Sequence, residues 1–456
     1  MATQLRSPGT VGPEAVETRV ASASPWLAER RRAAWETYAA LPMPDRTRDE
    51  DWRRTDISGL QPEEFVADPG TADHGASLVD ALRAMRDAIA PDSAFVASTR
   101  SGMRACEGTD ILTAQGVVVG SLDEAAAVHE PLVRRALVSL PPGGSKLTAL
   151  WNALWRGGCF VHVPAGIEAR VPVIAAHSAS GERAAAFPAT VVLLDADASL
   201  TLVELQASPA TPEPMLSDAV TVLHLGEGAR LDYCLLQRWS AATWHLATHR
   251  AVLERDSRLQ LFAATFGSRL QKAYWDAMLD GPGADATLTG ICFGGGTQHL
   301  DHQSLQAHRA PSTRSDLMLK VAVRDRAQSV YGGLITVDRQ AQHSDGYVQN
   351  RNLMLSRGAR ASGIPMLEIQ ANDVRCSHGV TAGHIDDEQR FYLRSRGVPP
   401  AEADQLIVRG FMQDALDRCP HQGFAEFVGG VLDEVVEGHS AAGVEAEEMA
   451  AAEGSP

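Results

Sequence analysis

Long apolar runs, aromatic side chains and an excess of basic charge are all scarce in this chain, and each shortage removes a class of function. The best candidate for a membrane span, Thr190 to Ala207, is interrupted by Asp195, Asp197 and Glu204, so no run of about 18 apolar residues is present. Lys and Arg total 41 against 57 Asp and Glu, a net charge of −16, which argues against a binder that tracks nucleic-acid phosphates. Aromatic residues make up 5%, too few for a base-stacking platform. The six cysteines, at 106, 159, 234, 292, 376 and 419, are widely scattered with no CxxC pair. Such spacing is unlike a secreted disulfide framework and suits a reducing compartment. The N-terminus carries Glu14 and Glu17 and no apolar core of a signal peptide, so the expectation is a cytoplasmic protein without a targeting segment. Motifs are missing too. Gly143-Gly144-Ser145-Lys146 lacks the Gly-Lys-Ser/Thr ending of a phosphate loop, and neither GxGxxG, GxSxG nor HExxH occurs. If ATP drives this protein's work, a partner hydrolyses it.

What is present is a 456-residue chain, 45% hydrophobic, enough for two to four structural units. Residues 1–22 read as a disordered lead-in, and 23–156 as a helical region. Its helices are expected after the Ser24-Pro25 start, over Ser77 to Ile89, over Asp123 to Leu140 and over Lys146 to Trp155. From 157 to 384 short β-like runs replace helical stripes, among them ATVVLLDADASLTLVEL and AVTVLHLGEGARLDYCLL. Their turns place a small residue beside polar or glycine positions: Ala198, Ala229, Ser257, Ala284, Ala327, Ala341 and Ala359. The first intervals, 198 to 229 and 229 to 257, are 31 and 28 residues. A repeated strand–turn unit without helices between suggests a solenoid, although a two-sheet sandwich gives a similar pattern. Helix returns over 385–436, where Ala403, Ile407, Phe411 and Ala415 are four apart with Leu406 and Met412 beside them. Residues 437–456 read as a disordered acidic tail.

Two stretches could carry chemistry. If 372–379 is extended, Cys376 and His378 point the same way, roughly 7 Å apart, as a thiophilic metal such as iron or zinc prefers. Two ligands do not close a site, so more must come from another chain or from sulfide. A small buried cysteine and a hydrogen-bonded histidine explain the same spacing. In His299-Leu300-Asp301-His302, with His308 beyond, a helix would put His299 and His302 on one face, whereas a strand pairs His302 with His308; Asp301 is placed to orient either ring. Cys159, Cys234 and Cys292 lie in apolar runs and read as core. Cys419, before Pro420-His421, has no spacing that supports a metal. Asp386, Asp387 and Glu388 suit a helix N-terminus, and Arg394 and Arg396 suit an anionic partner group or a solvated turn.

Several blocks in order resemble the SufB/SufD family of iron–sulfur cluster assembly proteins. They are Tyr331-Gly-Gly-Leu-Ile-Thr-Val-Asp, Gln349-Asn-Arg-Asn-Leu-Met-Leu-Ser, Leu367-Glu-Ile, Asp373 to Gly379, and Phe391-Tyr-Leu-Arg-Ser-Arg-Gly. Earlier support comes from Lys146 to Ala153, Val163-Pro-Ala-Gly and Asp51-Trp-Arg-Arg-Thr-Asp. The resemblance implies a mainly β protein: a right-handed parallel β-helix flanked by N- and C-terminal helical regions. It implies a non-catalytic subunit that pairs with SufB through the β-helices and docks SufC, an ABC-type ATPase, through its C-terminal helices, with Arg394, Arg396, Leu406, Ile407, Phe411 and Met412 as the partner-binding residues. Arg375-Cys-Ser-His-Gly-Val-Thr is similar to the SufD pattern, and the turn Ser356 to Pro365 lacks the cluster-building Cys that SufB carries there. His378 and Cys376 then match the residues that SufD places at the interface, where iron or a nascent iron–sulfur cluster is held transiently and shared with SufB. Val380 stands where Ala is more usual. A reduced flavin is associated with the complex, although no flavin motif is legible here. Two other readings remain: a SufB-like homodimeric scaffold, and a β-helix polysaccharide lyase or hydrolase, whose carboxylates Asp301, Asp316 and Asp338 show no recognisable grouping. Neither nucleic acid nor membrane is an expected partner.

Overall fold

Small side chains at sharp corners decide how the middle of this chain folds. In the computed structural model, which describes residues 9–68 and 75–453, Ala198, Ala229, Ser257, Ala284, Ala327, Ala341 and Ala359 are all buried at turns. Each sits inside a corner where a larger side chain would force the flanking strands apart. The residue before several of them takes the left-handed conformation, as at Asp197 and Asp256 and at Gly228 (φ 68°) and Gly283 (φ 76°). Glycine at the last two has a second reason: an added Cβ would press on the carboxylates of Asp197 and Asp256 in the preceding coil.

Between corners the chain lays down strands alternately in two sheets. One contains, in order, Ala94–Thr99, Val173–Ser178, Ser199–Ala207, Arg230–Arg238, Arg258–Thr265, Asp285–Gly294, Arg314–Val323, Asp345–Met354 and Arg375–His384, with Gly102–Glu107 antiparallel at its start. The other runs from Val118–Ser121 and Cys159–Val163 through Ala189–Leu194, Met215–Leu225, Thr243–Leu253, Leu270–Leu279, His299–His308 and Gln328–Val337 to Arg360–Ile369. Past the antiparallel pairs at its start, Ala94–Thr99 with Gly102–Glu107 and Val118–Ser121 with Cys159–Val163, successive strands do not pair among the described residues. Arg230–Arg238, for example, bonds in parallel to Ser199–Ala207 and Arg258–Thr265 and skips Met215–Leu225. A sandwich built from hairpins would pair neighbours, so the molecule is a parallel β-solenoid of about eight turns.

Three large apolar cores among the described residues hold it together, beside two small clusters. The bore is filled by inward residues such as Leu231, Leu259, Leu288, Leu317 and Val348. The outer face of the second sheet packs under the N-terminal helices Pro13–Ala21, Pro25–Ala40 and Lys146–Leu154. The outer face of the first is covered by Gly75–Ile89 and the C-terminal helices Pro400–Leu416 and Gln422–Glu453, with Phe262 meeting Phe424 edge-on at 6.2 Å. Both faces of the middle strands are thereby buried, as parallel strands require, whereas Arg360–Ile369 and Arg375–His384 at the end are largely exposed.

Several boundaries differ from the sequence reading. Of the expected disordered lead-in, residues 1–8 lie outside the described residues, but Pro13–Ala21 is helical because Val16 and Val20 find apolar cover. The region 23–156 carries three strands, since the first coils of both sheets start there. The expected helix 123–140 breaks at His129 into Leu122–Val128 and Glu130–Ala136, ahead of Pro131. The expected disordered tail is helical backbone as far as Glu453; its Ala and Glu are strong helix formers. Residues 454–456 lie outside the described residues.

Candidate functional site

Among the described residues, the solenoid ends without a cap. Its last two strands, Arg360–Ile369 and Arg375–His384, each pair on one side only, with Gln328–Val337 and Asp345–Met354. Their outer edges therefore present unpaired backbone groups. Pro365 is tolerable here because it lies in an edge strand. Below, Asn352 braces the rung: its amide donates to Thr381 O (3.1 Å) and to Asn350 Oδ1 (2.6 Å). Val380 closes the bore against Gly363, where a Cβ would not fit.

Alternation along Arg375–His384 assigns the site. Cys376 lies beside Gly346 and His378 beside Val348, and Val348 points into the bore, so both side chains face inward at its open mouth. Cys376 is half-buried against the core, whereas His378 is exposed. Burial pushes the Cys376 thiol above its ordinary value, with the Asp345 carboxylate adding to the rise and the Gly346 amide opposing it. Sequence reasoning passed over His384, which shares this face, exposed. Even spacing from 376 and 378 was the available signal; at six residues, roughly 20 Å, it is too far from His378 to share a metal. Among the described residues, no group of three or more His, Cys, Asp or Glu side chains is placed to hold a metal ion. Whatever binds at the mouth needs ligands from outside this chain.

The second histidine group does not assemble. His302 and His308 face inward as a strand predicts, and both are buried in hydrogen bonds. His302 Nε2 meets Gln271 (2.9 Å) and packs edge-on to Trp275, while His308 sits between Thr313 (2.7 Å) and Ser315 (2.8 Å). Burial lowers both rings to about 4 and keeps them neutral. Asp301 orients neither ring. It forms a buried ion pair with Lys272 (2.6 Å), and Thr55 bridges it to His299 on the outer face.

The C-terminal helices offer a second surface. Asp386 caps Asp387–Ser395 through Glu388 N (2.9 Å), and Arg390 forks onto Asp404 (2.7 and 2.9 Å), binding that helix to Pro400–Leu416. Between the two runs a groove lined by Glu388, Tyr392, Leu393, Leu406 and Ile407. Phe391 is 74% exposed and Leu406 47%; Arg394 and Arg396 are exposed, with Arg396 over the Tyr392 ring at 5.2 Å. Met412 is a correction: it is fully buried under this helix and faces the first sheet. The inward stripe is Ala403, Val408, Met412 and Ala415, turned from the expected one, because the sheet is met along a 3–4–5 spacing and not strictly every fourth residue. Phe411 is partly buried, and its carbonyl accepts from Lys320 (2.6 Å). Cys159, Cys234 and Cys292 are buried; Cys419 lies 3.9 Å from Cys234, a proximity that a separation of 185 positions hid.

Comparisons with known proteins agree with this layout. The family model for the SUF system FeS cluster assembly SufBD core domain matches residues 176–411, and that for the SufBD protein N-terminal region matches 14–174. The chain is 29% identical over 310 residues to the iron–sulfur cluster assembly protein SufB of Bacillus subtilis, covering 68% of this chain and 67% of that one. It is 27% identical over 307 residues to an iron–sulfur cluster assembly SufBD family protein of Staphylococcus saprophyticus, covering 67% and 66%. It thus spans about two thirds of the length of these curated relatives. No helix among the described residues is long and apolar enough to cross a membrane.

Proposed function

The chain belongs to the SufBD family of SUF-system iron–sulfur cluster assembly proteins, and from that premise we propose that it is the SufD-type subunit of an assembly complex. It pairs with a SufB chain through the open end of the solenoid and docks a SufC-type ABC ATPase on its C-terminal helices. The observation that carries this reading is the placement of His378: exposed, on the inward face at the open mouth of the bore, and beside two strand edges that lack partners among the described residues. A second solenoid end would satisfy those edges by strand addition and bring the missing ligands.

The chemistry is that of a wall, not of an enzyme. A neutral imidazole at 378 ligates iron directly. Cys376 joins only as a thiolate, and burial makes its proton harder to lose, so iron or cluster held here weakens on acidification. Iron and sulfide are cargo, and ATP is hydrolysed by the partner. Tyr392, Leu393, Leu406 and Ile407 form the apolar centre of the groove offered to the ATPase, Asp386 and Glu388 also line it, and the exposed Arg394 and Arg396 stand outside that lining at the end of the same helix. Closure of two ATPase subunits would pull on residues 387–430 and shift the paired solenoids between closed and open states.

A SufB-like homodimeric scaffold is the second reading, favoured by the likeness to a protein named SufB. Against it, Ser356 to Pro365 contains no cysteine to accept persulfide. Co-purification from the native host separates the two, since recovery of a distinct SufB-like chain with an ATPase supports the first and a lone homodimer the second. His378→Ala in the complex is expected to abolish cluster build-up, read by its visible absorbance, with all subunits still recovered. Unchanged cluster yield would refute the role given to His378.

A further inference from the structure

A cavity of about 320 Å³ lies between the N-terminal cap and the outer face of the second sheet, within the size range of small-molecule sites. Its floor is a patch of three strands in register. Asp218, Leu246 and Lys272 form one row across them, and Thr248 and Tyr274 lie in the next. Trp52 and Leu147 form apolar walls. The mouth reaches solvent beside exposed Gly144, Ser145 and Asp51.

Inside the mouth, where Asp51 is exposed, the charges of the lining are matched except at one point. Arg250 pairs with Asp276 (2.7 Å) and Lys272 with Asp301 (2.6 Å), so neither cation is free for an anionic ligand. Asp218 is 3% exposed, and its Oδ2 has no hydrogen-bond partner. Leu246 stands between it and Lys272, two strand spacings or roughly 10 Å away. No neighbouring charge or hydrogen bond opposes the desolvation of this carboxyl, and burial drives it well above the usual carboxylate range. A buried carboxyl left without a partner is costly, and in a cavity of this size a ligand is the explanation that also accounts for the space.

We propose that this cavity binds a small organic cation, an amidine or amine with an apolar body, whose charged head pairs with Asp218 while Trp52, Leu147, Leu246 and Tyr274 enclose the rest. Asp51 at the mouth draws cations in. On binding, the Asp218 carboxyl gives its proton to the buffer and becomes the counter-ion; no covalent bond changes. The site lies on the outer face of the second sheet, away from the open end of the bore, and does not depend on the assignment of this chain as a SufD-type subunit.

Isothermal titration calorimetry of the full chain with benzamidine tests it, run at pH 7 in two buffers of different ionisation enthalpy. Saturable one-to-one binding with about one proton released per ligand is expected. The uncharged isostere benzamide should bind at least about tenfold more weakly, and Asp218→Asn should weaken benzamidine by a similar factor and abolish proton release. Absence of saturable binding, binding without proton release, or full affinity in Asp218→Asn would each overturn the proposal. The proton count needs only the wild-type chain, so misfolding of the variant does not protect the idea.

Discussion

Replacing Asp301 with Asn should loosen the N-terminal cap, and the size of the effect can be worked from the surroundings of Lys272. Its ammonium is fully buried and donates to Asp301 (2.6 Å) and to the Asp51 carbonyl (2.7 Å), with the Trp52 ring 4.8 Å away. Breaking a buried pair by removing one partner costs about 3–5 kcal/mol. An independent bound comes from proton loss. A lysine that titrates near 10.4 when unfolded can be neutralised at pH 7 for about 4.6 kcal/mol, which caps the penalty. Burial already lowers the Lys272 pKa, and Asp301 opposes that fall. Without Asp301, the main group opposing that fall is gone, so the Lys272 pKa drops further and the folded variant loses the proton at a lower pH than the unfolded one. The unfolded variant then binds one proton more than the folded one, so its stability rises with pH. The gap to wild type should therefore narrow by about 1.4 kcal/mol per pH unit between pH 7 and 9. Urea unfolding followed by tryptophan fluorescence, with hydrogen exchange over residues 50–57, measures both quantities. A deficit below about 1 kcal/mol, or one that does not change with pH, would refute the reasoning.

Phe262→Ala should cost about 3–5 kcal/mol and release the C-terminal helices, seen as faster proteolysis within 387–436 while the solenoid resists cleavage. Gly283→Ala should lose about 1–2 kcal/mol from its left-handed backbone alone, with further loss from crowding against Asp256; a neutral result would contradict the corner geometry. Alkylation of Cys376 by iodoacetamide should lag behind a free thiol at pH 8 and catch up as pH rises, because burial holds the thiol protonated; equal rates at pH 8 would be inconsistent. Leu406→Asp should abolish capture of the ATPase while leaving the melting temperature within a degree or two, since the side chain faces solvent; retained capture would remove the groove from the docking surface.

Some of this was legible in the sequence for physical reasons. A solenoid corner needs a small side chain, and the seven turns from Ala198 to Ala359 announced it. Strand alternation put Cys376 and His378 on one side, and it put His302 with His308 as well. Exposure was not legible. His308 and His378 follow the same rule of alternation, yet one is sealed by Thr313 and Ser315 and the other is open because no coil follows it. Contacts across long separations were also hidden. Thr55 reaches Asp301 over 246 positions, and Cys419 approaches Cys234 over 185. Asp218 lies between Ser217 and Ala219 and shares its face with apolar Leu216 and Val220, and the cap that encloses that face comes from residues far away in sequence.

Corners and strands behave differently as the chain climbs. Successive corner residues 198, 229, 257 and 284 are separated by 31, 28 and 27 positions, yet the rungs stay in register because length differences are absorbed in the loops. A whole rung could therefore be gained or lost by duplication or deletion without disturbing the packing of the others. Each such event would move the two extremities of the molecule by about 4.8 Å, giving evolution a ruler with fixed graduations.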